Sequence, residues 1–424
     1  MMLTSELYNY FEKSNSVSTD SRSIKKGSIF FALKGDNFDG NKFAEKAIKD
    51  GASYAVVDDH TLNHSQYIKV DNVLKSLQSL SKFHRSKLLK TKIIALTGSN
   101  GKTTTKELIN EVLKTKFNVS STIGNLNNHI GVPLTLLKID PLAEFAIIEM
   151  GANHLNEIKF LTELVNPDFG LITNFGKAHL EGFGSLKGVI KGKSELYNFL
   201  ISNNKVAFIN NDDEIQKKYK GKKISFGKSD QCNFKFEEVS NGMRSGIKFK
   251  NQLLNSKLTG NYNFNNIAFA TLIGLHFNVP ISKIKKSISE YNPSNNRSQI
   301  IEINNKSVIL DAYNANPSSM NSSIQSFNKL NGSKTILLGD MFELGATSAK
   351  EHLEIINQAI LTKGCIFYFI GSHFFEQKTS HSNFLFFETF EDLKSHLKEM
   401  AISNTSILIK GSRGMALERV LELL

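Results

Sequence analysis

The sequence predicts an α/β protein of three domains. They are a small α/β N-terminal domain over residues 1–89, a central P-loop ATPase-type domain with a mostly parallel sheet over 90–296, and a C-terminal Rossmann-like domain over 297–424. Three observations predict it. A chain of 424 residues suggests two to four domains at roughly 100–200 residues each. Short apolar runs alternate with helical spacings through the second and third segments, the pattern of βαβ units and a parallel sheet. A polar stretch carrying Pro293, YNPSNNRSQ, joins those two segments as a linker does.

The elements follow in chain order. In the first segment GSIFFALKG and ASYAVVDD contain short apolar runs that predict strands, and FAEKAIKDGA between them has helical spacing ending on a glycine. In the second, KIIALTG, FAIIEMG, DFGLIT and KVAFIN predict strands separated by helical stretches. The third repeats the pattern with SVILDAY, KTILLGD, CIFYFIG and SILIKGS.

Composition narrows the classes. Hydrophobic residues are 40% and charged residues 22%, an ordinary globular balance that excludes a mainly disordered or collagenous chain. The longest apolar runs, at 145–150 and 365–370, fall far short of the roughly 18 residues of a membrane span. The start, MMLTSELYNYFEK, lacks the apolar core of a signal peptide, so a cytoplasmic protein without a membrane partner is expected. Cys232 and Cys365 form no Cys-x-x-Cys motif and read as packed thiols. The net charge of +12 suits nucleic acid or an anionic small molecule. Its one dense cluster, Lys217, Lys218, Lys220, Lys222 and Lys223, reads as a solvated surface. No nucleic-acid fold motif accompanies it, so no nucleic-acid partner is expected.

The strongest local signal is TGSNGKTTT at 97–105. The apolar run 93–96 precedes it, and Leu108, Ile109, Val112 and Leu113 follow on one helical face. Glycines let backbone N–H groups turn inward, and the helix N-terminus adds partial positive charge, so this is a phosphate cradle. Lys102 is expected at the β- and γ-phosphates and the Thr103 hydroxyl on Mg²⁺. The loop's first glycine is Gly98, and Leu96 occupies the position where the general pattern has one. No Asn-Lys-x-Asp tetrapeptide reads guanine, which favours ATP over GTP.

Other polar residues stand at strand ends. Glu149 closes FAIIEMG, where an acidic residue beside a phosphate loop suits Mg²⁺. GLITNFGKAHLEGFGS brings Asn174, His179 and Glu181 toward the same edge. Lys193, in the helical KGVIKGKSELYNFL, reads by itself as a solvated lysine. Asn263 either satisfies a base edge or caps a helix beginning near Phe264, the cap being the simpler reading. DAYNANPSSM, GDMFELG and KGSRGMALERV each follow a strand of the third segment and mark a ligand face at the carboxyl edge of a doubly wound sheet.

In order, TGSNGKTTT, GNLNNHIGVP, EMGANH, ITNFGKAHLEGFGS, KSE, GNYNFNN, DAYNANPSSM, LGDMFELG and KGSR resemble the Mur ligases over essentially the whole chain. The N-terminal STDSR…GSIFFALKGDNFDGNKFAEKAIKDGA is similar to that family's uridine-nucleotide segment. The YNANP and LGDMFELG stretches favour the member adding D-alanyl-D-alanine to a UDP-N-acetylmuramoyl-tripeptide in peptidoglycan precursor synthesis. The resemblance implies an ATP-dependent, ADP-forming amide ligase, using ATP and Mg²⁺ and working as a monomer. It places Gly98, Ser99, Asn100, Gly101, Lys102, Thr103 and Thr104 at the ATP phosphates, Asn263 at the adenine, and Arg297 and Asp311 near phosphates and ribose. It makes Glu149 a Mg²⁺ carboxylate, His179 a second-metal ligand and Lys193 the lysine carbamylated in relatives. It puts Ser21 and Arg22 at the uridine nucleotide, and Asn125, Asn127, Asn128, Asn314 and Asn316 among the substrate contacts. Two positions depart from the family: Lys193-Ser194-Glu195 replaces a frequent Lys-Gly-Glu, and Asp39-Gly40-Asn41 replaces Asp-Gly-His. The alternatives are a folylpolyglutamate synthase-like ligase and a non-catalytic ATP-binding factor.

Overall fold

The computed structural model describes residues 2–293 and 296–424. Ser294 and Asn295, in the expected join, lie outside the described residues. The chain divides into two compact units. The first takes in the chain up to Leu96, then Phe117–Gly151 and Glu157–Gly170; the second is Thr97–Lys116, Ala152–Asn156 and Leu171–Leu424. Among the described residues no helix is long and apolar enough to cross a membrane.

The first unit opens on a parallel sheet of Ser16–Ser18, Ser28–Phe31, Tyr54–Val57 and Tyr67–Lys69, in that order. Strand alternation sorts its side chains to two cores. Ile29, Phe31 and Val56 pack with Leu77 and Leu80, while Phe30, Ala55 and Val57 pack with Ala44 and Ala47. Both faces are covered, which is why these strands read as unbroken apolar runs. Leu77 and Leu80 come from the helix Val73–Lys87, whose Asn72 cap accepts a hydrogen bond from the Lys75 amide at 2.8 Å. The unit also holds the parallel neighbours Phe145–Glu149 and Val119–Ser121.

In the first unit Lys92–Thr97 pairs parallel with Phe145–Glu149; in the second Val206–Asn210, Lys222–Gly227 and Phe234–Lys235 pair in that order as a parallel ribbon. The ribbon is followed by a three-stranded antiparallel sheet, Glu237–Asn241, Arg244–Phe249 and Gln252–Thr259. The six-stranded sheet has the order Gln299–Ile303, Lys306–Asp311, Ser406–Lys410, Lys334–Gly339, Cys365–Ile370, Phe384–Phe387, and only its first pair is antiparallel. The last strand in sequence lies between two earlier ones, with Asp311 opposite Lys410 and Lys410 opposite Leu338. Three carboxyl ends, leading into DAYNANP, KGSR and GDMFELG, therefore meet at one edge.

Of the sequence expectations about single residues, the five clustered lysines are exposed. Cys365 is buried and Cys232 half-buried. Two expectations fail. Lys193 has no exposed surface at all. Asn263 is the first residue of its helix, Asn263–His276, and Tyr262 precedes it without a side-chain cap.

Candidate active site

The second unit builds a phosphate loop from backbone constraints. Gly98 has φ +146 and Gly101 φ +77, regions that favour glycine. A Cβ on Gly98 would stand 2.0 Å from the Thr173 hydroxyl, and one on Gly101 2.4 Å from Asn266 Oδ1. Neither position can therefore carry a side chain without moving its neighbours. Gly101 ends the turn, and the helix Lys102–Leu113 begins there. Leu108, Ile109, Val112 and Leu113 are all buried, as their spacing predicts.

Polar groups hold the loop open. The Thr173 hydroxyl donates to the Asn100 carbonyl at 2.6 Å, and Asn174 Nδ2 donates to it at 3.0 Å. The Asn100 amide donates to Asn174 Oδ1 at 3.0 Å. The Ser99 hydroxyl donates to the Gly176 carbonyl and accepts from the Gly176 amide, each at 2.9 Å. Lys102 Nζ lies on the loop itself, donating to the Gly98 carbonyl at 2.7 Å and to that of Ser99 at 3.3 Å. Thr103 and Thr104 are each 7% exposed. Behind the helix Thr105 donates to Asn266 Oδ1 at 3.0 Å, Asn266 to Asn263 Oδ1 at 2.7 Å, and Asn263 to the Thr259 carbonyl at 2.7 Å. Asn263 is thus tied into the support of the loop's helix.

The third segment reaches the same loop. Asn316 Nδ2 donates to Asn100 Oδ1 at 2.7 Å. Asn316 also caps the helix Pro317–Asn328, accepting from the Ser319 amide at 2.9 Å. The Lys177 amide donates to the Ser318 hydroxyl at 2.8 Å, and Lys177 Nζ meets Glu351 at 2.8 Å and Glu354 at 3.1 Å. His179 Nδ1 lies 2.5 Å from Glu343 Oε2. Both residues have left-handed backbones, at φ 52 and φ 61, a strain that clusters at functional sites. The neighbouring His179, with Lys102 adding its charge, holds the Glu343 carboxyl below the usual range, against the opposing effect of burial.

Lys193 lies on the helix Leu186–Ser202, with Nζ donating to the Ala152 carbonyl at 2.9 Å and standing 5.2 Å from the Phe183 ring centre. Asp311 accepts from Lys410 Nζ at 2.6 Å and from the Ser298 amide at 3.2 Å. Arg297 stacks 3.6 Å above the centre of the Tyr313 ring. Asn314 is exposed, its carbonyl 3.4 Å from Lys410 Nζ.

In the first unit Glu149 is 1% exposed at its strand's end. Asn127 Nδ2 donates to Glu149 Oε1 at 2.8 Å, and the Glu149 amide donates to the Thr122 hydroxyl at 3.0 Å. Asn128 Oδ1 accepts from the Gly131 amide at 2.8 Å, and Asn125 is exposed. Ser21 is buried. Arg22 is bound to Asp20 through two contacts of 2.9 Å, which with the Arg22 amide lower the Asp20 carboxyl to about 2. Asn41 is fully occupied within the unit: Nδ2 donates to Asp39 at 2.9 Å and to Asp58 at 2.8 Å, and Oδ1 accepts from the Asp58 amide at 3.1 Å.

The donor set fits a nucleotide with Mg²⁺. Among the described residues no three His, Cys, Asp or Glu side chains are grouped to hold a metal alone. Mg²⁺ in phosphate sites takes one or two protein ligands and draws the rest from phosphates and water. Taken separately, the loop hydroxyl of Thr103 in the second unit and the buried Glu149 carboxylate in the first are each an oxygen donor of that kind. Sequence reasoning did not single out Tyr313, Arg413, Lys177, Glu343 or Glu351 as site residues. All of them but Glu351 lay in quoted motifs, but nothing local marked their partners.

Three consecutive matches to one family cover most of the chain. They are Mur ligase family, catalytic domain, at 13–85; Mur ligase middle domain at 96–274; and Mur ligase, glutamate ligase domain, at 296–413. The UDP-N-acetylmuramoyl-tripeptide–D-alanyl-D-alanine ligase of Bacillus subtilis (strain 168) is 35% identical, over 96% of this chain and 92% of its own. The enzyme of the same name from Buchnera aphidicola subsp. Baizongia pistaciae is 34% identical over the same shares. A crystal structure of MurF from Acinetobacter baumannii superposes with a TM-score of 0.87 at 27% identity, covering 99% of this chain and 97% of that one. With relatives this similar along their whole length, and with the loop, strand edges and three segments in the expected order, the chain belongs to the Mur ligase family.

Proposed function

We propose that the chain is an ATP-dependent amide ligase joining D-alanyl-D-alanine to the terminal carboxylate of UDP-N-acetylmuramoyl-tripeptide, with release of ADP and phosphate. The observation that carries this reading is the phosphate loop tied through Asn100 and Asn316 to the carboxyl edge of the six-stranded sheet. A phosphoryl donor and an acceptor site are thereby held on one scaffold. A carboxylate is a poor acylating agent because its oxygen is a poor leaving group. The ATP γ-phosphorus is attacked by a tripeptide carboxylate oxygen, the bond to the ADP oxygen breaks, and an acyl phosphate forms. The dipeptide amine then attacks the acyl carbon, phosphate leaves with the electron pair of the broken C–O bond, and the amine proton is lost to solvent.

The first step brings anions together, so charge neutralisation and alignment supply most of the catalysis. Lys102 and the loop amides carry the phosphates, Thr103 is the loop residue that would bind Mg²⁺, and the family resemblance makes Glu149 a Mg²⁺ carboxylate. When bound, Mg²⁺ neutralises phosphate charge. Carbamylation of Lys193 by CO₂, with loss of protons, would turn it into an anion, and that carbamate and His179 are the residues that would hold a second Mg²⁺. Ser21 and Arg22 serve the uridine nucleotide; Asn125, Asn127, Asn128, Asn314 and Asn316 serve the peptide substrates. Asn263 serves the adenine, and Arg297 and Asp311 the phosphates and ribose. Domain limits near residues 89 and 296, a monomeric state and a cytoplasmic setting complete the reading.

The test is phosphate release from ATP with UDP-N-acetylmuramoyl-tripeptide, comparing D-alanyl-D-alanine with single amino acids and glutamate. Dipeptide-dependent release is expected. Turnover with glutamate and folate, and none with the dipeptide, overturns the assignment.

A further inference from the structure

Tyr313 gathers two positive charges. Arg297 lies 3.6 Å above its ring centre, and the Arg413 guanidinium is 5.0 Å from the same centre, with Nη1 donating to the Tyr313 hydroxyl at 3.2 Å. Among the described residues neither arginine makes an ion pair, and the buried Nε of Arg297 has no hydrogen-bond partner. Asp311, the nearby carboxylate, is committed to Lys410. Arg297 is also flanked by two left-handed residues, Asn296 at φ 56 and Ser298 at φ 49, and strain of this kind is retained where function needs it. A ring face attracts each guanidinium, but two of them on one ring repel each other unless an anion joins them. Planar guanidinium donors match a carboxylate or a phosphate.

We propose that Arg413, held on Tyr313 beside Arg297, is the specificity residue that binds the acceptor dipeptide's terminal carboxylate. The inference rests on the ligase reading and deepens it. Tyr313 stands two residues beyond the strand Lys306–Asp311, and Arg413 three beyond Ser406–Lys410. The two strands are parallel neighbours, so both side chains belong to the carboxyl edge where open α/β sheets bind ligands. The nucleotide phosphates already have the loop, Lys102 and Arg297, which leaves Arg413 for a second anion. The acceptor must react through a neutral amine, so its carboxylate is the one charge by which the protein can orient that amine. Holding the far end of the nucleophile is how binding is converted into alignment.

The experiment compares D-alanyl-D-alanine with its C-terminal carboxamide in the full-length enzyme and in Arg413→Ala. Arg413 is exposed, and an unchanged Tm confirms that the variant folds. Wild type is expected to prefer the acid by roughly 10- to 100-fold in kcat/KM, the worth of one charge-assisted contact. Arg413→Ala is expected to raise KM for the acid by a similar factor and to reduce the preference to within about threefold, with KM for ATP nearly unmoved. Arg413→Lys is expected to recover part of the preference. If wild type accepts the carboxamide as well as the acid, or the variant keeps the preference, or KM for ATP rises in place of KM for the dipeptide, the proposal falls. Absence of any dipeptide-dependent turnover in wild type would instead sink the ligase reading itself.

Discussion

Lys102 and Lys193 are both lysines, and their surroundings give them opposite tasks. Lys102 lies over its own loop, bonded to the Gly98 and Ser99 carbonyls. A phosphate group placed in that loop offers it a stronger, charged acceptor. Lys102→Ala is expected to cut acceptor-dependent phosphate release by at least roughly 10²- to 10³-fold, the size of losing a donor aimed at developing charge. A variant within about tenfold of wild type, a change of only about 1.4 kcal/mol, would contradict the role. Lys193 is enclosed by the Ala152 carbonyl and Phe183. Carbamylation there would add CO₂ to the amine nitrogen with loss of protons and leave an anion in place of a cation. Lys193→Ala is expected to lose most activity, to be unresponsive to bicarbonate and to regain part of it with short-chain carboxylic acids that replace the missing anion. Wild-type activity in that variant removes the carbamate from the mechanism.

Elements differ in how plainly their residues announce them. The parallel strands were legible because both their faces are covered, so runs such as CIFYFIG stay apolar throughout. The loop–helix unit was legible because glycine, lysine and threonine must all lie within eight residues of one another. The antiparallel sheet at 237–259 was missed. Its strands EEVSN and RSGIKF are largely polar, and the only local sign was the Asn241-Gly242 turn, with Gly242 at φ 59. Lys193 was misread because helical periodicity says which face a residue occupies, and nothing about whether a charge there is enclosed. The Asn100–Asn316 bond spans 216 residues of sequence, beyond the reach of any local pattern. That bond also gives the helix Pro317–Asn328 two duties, since Asn316 is its cap. Asn316→Ala is expected to lower stability by about 1 kcal/mol through loss of the cap, measured by urea unfolding, and to raise KM for ATP as well. Asn316→Ser keeps a capping hydroxyl but is too short to reach Asn100, so it is expected to restore stability and leave KM raised. Full recovery of both by serine would show that the link to the loop contributes nothing.

At the scale of the whole molecule, the chain carries a net charge of +12 and handles substrates rich in phosphate and carboxylate. Charge of that sign favours anionic ligands in general, so it cannot decide which unit binds which of them. Linkage can. A ligand that binds only the folded form stabilises it by RT ln(1 + [L]/Kd), about 2.7 kcal/mol at a hundred times Kd. The phosphate loop lies in the second unit, and the segment assigned to the uridine nucleotide lies in the first. A chain of several domains need not melt in one step, so the two ligands are expected to act on different parts of the transition. ATP with Mg²⁺ should protect the backbone amides of the loop and its helix, Lys102–Leu113, from hydrogen exchange. UDP-N-acetylmuramoyl-tripeptide should protect the residues around Ser21 and Arg22. Lys102→Ala should weaken the first effect and leave the second intact. Protection of the first segment by ATP alone, or an undiminished ATP effect in the lysine variant, would mean that the nucleotide is held somewhere other than the loop.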